Sequence, residues 1–68
     1  MDKEKLKTER TRAALSFRAL GNLSGVSYVT LQRIEAGLAK AHPSTIKKIA
    51  DALGIKPVEL MSESENAP

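Results

Sequence analysis

Apolar positions recur at helical intervals along most of this chain, and polar caps and glycines punctuate them. The clearest run lies between Ser44 and Gly54. There Ile46, Ile49, Ala50 and Leu53 stand at i, i+3, i+4 and i+7, with Lys47, Lys48 and Asp51 opposite. At about 3.6 residues per turn this spacing gathers the apolar side chains on one helix face. Ser44 is the expected cap and Gly54 the stop. Nearer the N-terminus, Asp2 to Ala14 is rich in Lys, Glu, Arg and Ala, all good helix formers. Leu6, Arg10, Ala13 and Ala14 share one stripe of that helix. Ser16 caps a second helix, Phe17 to Ser24, whose inward positions are Leu20, Leu23 and Phe17. Gly25 suits the left-handed residue that ends it. Ser27 caps a third helix, Tyr28 to Ala36, which Gly37 ends. A loop, LAKAHP, leads to the fourth helix, and Pro57 suits the first position of a short fifth, Pro57 to Met61. The pattern predicts an all-α fold, a compact bundle of five short helices over residues 1–61. Residues 62–68, Ser/Glu-rich and without a large apolar side chain, are expected to be a disordered acidic tail.

The third helix has an unusual outer face. With successive residues about 100° apart, Leu31 and Ile34 point inward, flanked by Thr30 and Glu35. Val29, Gln32, Arg33 and Ala36 form the outer arc, and Tyr28 stands at the exposed first turn. An ordinary half-buried helix would show a cleanly solvated outer face. Two short helices separated only by Gly25-Val26-Ser27 instead match a helix-turn-helix, whose second helix enters the DNA major groove. The outer side chains suit base reading there. Gln pairs bidentately with adenine, Arg with guanine, and Val packs against a thymine methyl. Tyr28 can hydrogen-bond a phosphate or base, lie over a thymine, or simply cover the turn.

Two charges stand in awkward places. Arg10 lies within the apolar stripe of the first helix. Glu35 lies near the inner side of the third helix, at a C-terminus where the helix dipole disfavours an anion. A buried unpaired charge is expensive, so an Arg10–Glu35 salt bridge between the first and third helices is expected. Its role would be to orient the third helix more than to add net stability.

Composition narrows the function classes. The chain is 41% hydrophobic and 28% charged, ordinary for a globular domain, with Phe17 and Tyr28 its only aromatics. It lacks cysteine and has one histidine, His42, which argues against a disulfide framework or a metal site. No nucleophile–base pair or phosphate-cradling glycine loop is visible, so the expectation is a non-enzyme without cofactor or small-molecule ligand. The start of the chain, Met1-Asp2-Lys3-Glu4-Lys5, does not resemble a signal peptide, and no run approaches the about 20 apolar residues of a membrane span. A cytoplasmic, nucleoid-associated location is expected. The formal charge is +3, and residues 1–61 carry 11 basic and 6 acidic side chains, a net of +5. A small basic body suits a polyanionic partner.

Taken in order, Arg10, Leu15-Ser16, Leu20, Gly25-Val26-Ser27, T-L-x-R-I-E-x-G at Thr30 to Gly37, and P-S…I…IA-x-LGI from Pro43 to Ile55 resemble the phage-repressor/Cro-like (XRE-like) helix-turn-helix family. The similarity runs from about Leu6 to Leu60. It implies a lambda-repressor-like five-helix domain that binds double-stranded DNA, usually as a homodimer on a two-fold site. By position, Tyr28, Val29, Gln32 and Arg33 correspond to the family's groove-facing residues. Ser16, Phe17 (through its backbone N–H), Ser27 and Lys40 correspond to its phosphate contacts, and the Arg10–Glu35 pair recurs in it. Arg18 joins the phosphate candidates as an outward cation. Lys47, Lys48 and His42 read as solvated or capping residues. Three positions depart from the family pattern. Glu9 stands where an aliphatic is frequent and predicts weaker packing of the first helix. Phe17 replaces a frequently polar residue, and Gly21 a usual alanine, permitting a close helix crossing. Val58, Leu60 and Met61 are read either as a dimer surface or as the completion of the core.

The resulting expectation is a sequence-specific transcriptional regulator, a repressor acting as a dimer on a two-fold operator. The alternatives are an antitoxin or protein-binding module with a toxin partner, and a restriction–modification controller.

Overall fold

A computed structural model describes residues 1–61; the tail expected at 62–68 lies outside the described residues. Four α-helices, α1 (Lys3–Arg12), α2 (Phe17–Ser24), α3 (Tyr28–Glu35) and α4 (Pro43–Leu53), precede a 3-10 turn at Pro57–Leu60. The fifth element is thus a single 3-10 turn. Pro57 opens it with a preset φ, and the Lys56 N–H donates to Glu59 Oε2 at 2.8 Å.

Every helix contributes to one aliphatic core. Leu6 comes from α1, Leu20 from α2, Leu31 and Ile34 from α3, and Ile46, Ile49 and Ala50 from α4; Leu60 closes it from the final turn. Leu60 therefore completes the core, while Val58 stays exposed and Met61 half-buried. Leu53 is half-buried at the edge of the α4 stripe. Helix α1 is held thinly, since Leu6 is its one buried residue. Its start is fixed by polar contacts instead. Asp2 accepts from the Glu4 and Lys5 amides, its own N–H donates to Leu60 O at 2.8 Å, and Lys5 Nζ reaches Met61 O at 2.7 Å. These bonds clamp the first turn of α1 to the last turn of the domain.

Four expectations need correction. Leu23, expected inward, is 63% exposed. It sits about 60° around α2 from Leu20, and a two-turn helix with Leu20 centred on the core leaves the next apolar position outside. Ala13 and Ala14 are exposed too, because α1 ends at Arg12. Ala14 takes φ +57, and the amides of Ala14 and Leu15 return to the carbonyls of Thr11 and Arg10. This is the two-bond helix stop in which glycine is usual. Ser44 is not the cap of α4. The helix begins at Pro43, with His42 as the flanking residue, because proline has no N–H to lose and its φ is already helical. Finally, Ser27 occupies the cap position of α3 but makes no side-chain cap bond.

Candidate nucleic-acid interface

The elbow between α2 and α3 depends on a missing side chain. A Cβ on Gly21 would lie 2.9 Å from Val26 O and 3.4 Å from the Tyr28 amide nitrogen. Glycine here lets the α2 backbone touch the start of α3 directly. Gly25 makes the turn possible at φ +77, and its N–H closes α2 on Gly21 O at 2.9 Å. At the other end of α2, Ser16 Oγ accepts the Ala19 amide at 3.1 Å.

From that elbow α3 presents two different sides. Leu31 and Ile34 are buried, whereas Tyr28, Val29, Thr30, Gln32 and Arg33 are exposed. Val29 is 39% exposed, and among the described residues no hydrogen bond or ion pair engages the side chains of Gln32 or Arg33. The outer face is therefore unsealed by the rest of the domain. Gly37, at φ +79, ends the segment as Leu38 N–H returns to Arg33 O at 2.8 Å.

One guanidinium ties α3 to the start of the domain. Arg10 Nε and Nη2 donate to the two Glu35 carboxylate oxygens, both at 2.9 Å, and Nη1 donates to Leu15 O at 2.8 Å. Its carbon also lies 4.2 Å from the centroid of the Phe17 ring. A single side chain on α1 thereby holds the carboxylate of α3, the backbone of the α1–α2 connection and the first side chain of α2. The hydrogen bonds that Arg10 donates to Glu35 raise the Arg10 pKa above its usual value against the opposing pull of burial. Phe17 is half-buried beside that cation; its amide, at the first position of α2, has no intrahelical acceptor and no other backbone acceptor among the described residues.

The remaining candidates fall into two groups. Arg18, Ser27 and Tyr28 line one open cleft of about 560 Å³ in the elbow, together with Asn22. The Arg18 guanidinium carbon lies 4.9 Å from the Tyr28 ring centroid. Ser16 and Lys40 are exposed but do not line that cleft. Asn22 is absent from the residues expected at the interface, although its i+4 relation to Arg18 places both on one face of α2.

A family model described as a helix-turn-helix domain matches residues 4–62. The chain belongs to this helix-turn-helix family. No solved structure matches the chain.

The helix-turn-helix here thus consists of α2, the Gly25 turn and α3, a DNA-binding unit. Its chemistry is that of hydrogen-bond donors, cations and one apolar contact on a rigid support, which suits recognition of a polyanion. Among the described residues no group of His, Asp or Glu is placed to hold a metal ion, and no helix is long and apolar enough to cross a membrane.

Proposed function

We propose that this protein is a sequence-specific regulator of transcription, a repressor, that lays α3 in the major groove of double-stranded DNA. Tyr28, Val29, Gln32 and Arg33 read base edges and methyl groups. Ser16, the Phe17 amide, Arg18, Ser27 and Lys40 position the domain on phosphates. The observation that carries the reading is the exposed outer face of α3, where an apolar Val29 stands beside an uncommitted Gln32 and Arg33. An apolar side chain gains little in water there, and an amide and a guanidinium beside it match the donor and acceptor pattern of the groove.

The division of labour follows from physics. Phosphate contacts supply affinity and salt dependence but no direct sequence readout. Base-edge contacts supply discrimination, each good bidentate pair being worth about 1–3 kcal/mol. A two-fold dimer would place two copies of α3 about 34 Å apart in successive major grooves. The exposed Val58 and the apolar groove lined by Pro43, Ile46, Pro57 and Met61 offer a surface for that pairing.

Selection of bound duplexes from a random library tests the proposal. The expected product is one enriched motif with two-fold symmetry and half-sites about 10 base pairs apart. Recovery of unenriched sequence would refute base-specific reading. Purification of the protein only as a stable complex with a second polypeptide would favour the antitoxin alternative.

A further inference from the structure

Arg18 is an exposed cation with a specific neighbour in the fold. Its guanidinium carbon lies 4.9 Å from the centroid of the Tyr28 ring, within the distance at which a cation is attracted by the face of an aromatic ring. No carboxylate among the described residues pairs with it. The contact crosses the elbow, from the first turn of α2 to the first residue of α3. Gly21 explains how it arises. Arg18 and Gly21 are one turn apart on α2, and Tyr28 Cα comes within 3.6 Å of the place a Gly21 Cβ would occupy. With the two backbones in contact at Gly21, the Tyr28 ring meets the side chain one turn back on α2, and that side chain is Arg18.

From this arrangement we propose that Arg18 is a positioning residue for base reading. Its guanidinium holds the face of the Tyr28 ring, so the edge and hydroxyl of that ring meet DNA in one orientation. This inference rests on the proposed DNA-reading function and adds a specific determinant to it. A tyrosine at the first turn of an exposed helix otherwise samples several rotamers, and a mobile ring contacts many bases weakly. Stacking on Arg18 lowers that freedom before DNA arrives. A guanidinium carries its N–H donors around its edge, so with its carbon over the ring the same side chain can still reach a phosphate. Phosphate contact and base contact become parts of one unit. Lysine, a point charge without a planar face, would keep the phosphate attraction and lose the stack.

The test uses the full chain, the duplex enriched from the random library, and a panel of its single-base variants. The proteins compared are wild type, Arg18→Lys, Tyr28→Leu and the double variant. Arg18→Lys should weaken binding to the enriched duplex about two- to fivefold, the scale of an exposed cation–ring contact. It should relax preference at the same base pair that Tyr28→Leu relaxes. The slope of log K against log salt should stay unchanged, because the charge is kept. In the Tyr28→Leu background, Arg18→Lys should cost nothing further. In the free protein, the Arg18 side-chain protons should show a ring-current shift that disappears in Tyr28→Leu, in a spectrum that otherwise reports an intact fold. Additive losses, an equal loss on every duplex, or an unchanged base profile for Arg18→Lys would reduce Arg18 to a phosphate contact and overturn the inference. Wild-type protein that binds all duplexes alike would defeat the DNA-reading function itself, an outcome distinct from failure of the Arg18 role alone.

Discussion

Arg10 and Glu35 meet through two parallel hydrogen bonds of 2.9 Å, joining α1 to the last residue of α3. Their side chains are 17% and 9% exposed, so the pair sits between a surface bridge and a fully buried one. Removing either partner leaves a largely desolvated charge behind. Arg10→Ala and Glu35→Gln should each lower stability by about 1–3 kcal/mol, and together by much less than their sum. Urea unfolding of the two single variants and the double variant measures this. The pH sign also follows. Because Glu35 raises the Arg10 pKa, the arginine's part in the pair is complete below the ordinary arginine range and is lost only as pH rises through the raised value. Alkaline titration to about pH 10 should leave it intact.

Ala14 ends α1 in a conformation that favours glycine, at φ +57. A left-handed backbone costs a residue with a Cβ about 1–2 kcal/mol. Part of that returns as unfolded-chain entropy when glycine is introduced. Ala14→Gly should therefore stabilise the domain by about 0.5–1 kcal/mol, read as a rise in the midpoint of thermal or urea unfolding. An unchanged or lowered midpoint would show that the turn is not strained.

Gly21 and Gly25 are both in the elbow, but for different reasons. At Gly21 an added methyl meets the Val26 carbonyl oxygen at 2.9 Å, a backbone atom that cannot step aside without moving α3. At Gly25 nothing among the described residues lies within 4 Å, and the positive φ is what opposes a side chain. Gly21→Ala should cost about 1–3 kcal/mol by overpacking and also weaken DNA binding, since it displaces the start of α3. Gly25→Ala should cost about 1–2 kcal/mol and leave the affinity of the folded fraction nearly unchanged. Melting curves and binding isotherms on both variants separate the two effects.

Much of this architecture is legible in the chain. The bounds of α2 follow from Ser16 and Gly25, and the i, i+3, i+4 pattern of α4 places Ile46, Ile49 and Ala50 in the core where they are found. The Arg10–Glu35 contact follows from two charges that make no sense apart. Other features escaped because they depend on contacts between elements. Periodicity treats Leu20 and Leu23 alike, yet the arc covered by α3 and α4 ends between them. Ser44 has the chemistry of a cap, but Pro43 starts the helix two residues before the position that cap implies. The Arg18–Tyr28 contact depends on how closely two backbones approach at Gly21, which no spacing rule encodes.

Leu20 and Leu23 give that difference a measurable form. Leu20 is fully buried and Leu23 is 63% exposed. Leu20→Ala should destabilise by about 2–5 kcal/mol through the cavity it leaves. Leu23→Ala should fall within about 0.5 kcal/mol of the parent. Chemical denaturation of the two variants decides it, and equal losses would show that Leu23 is covered in solution.

Sequence reading would take place on the outward face of α3, and single alanine substitutions on that face test it most directly. On the duplex enriched from a random library and its single-base variants, Gln32→Ala and Arg33→Ala should each lose about 1–3 kcal/mol on the preferred sequence and relax preference at one base position. Lys40→Ala should instead weaken every duplex alike and flatten the salt dependence. If Gln32→Ala and Arg33→Ala lower binding to all duplexes equally, or leave the base profile of the parent protein untouched, α3 does not read sequence and the account fails.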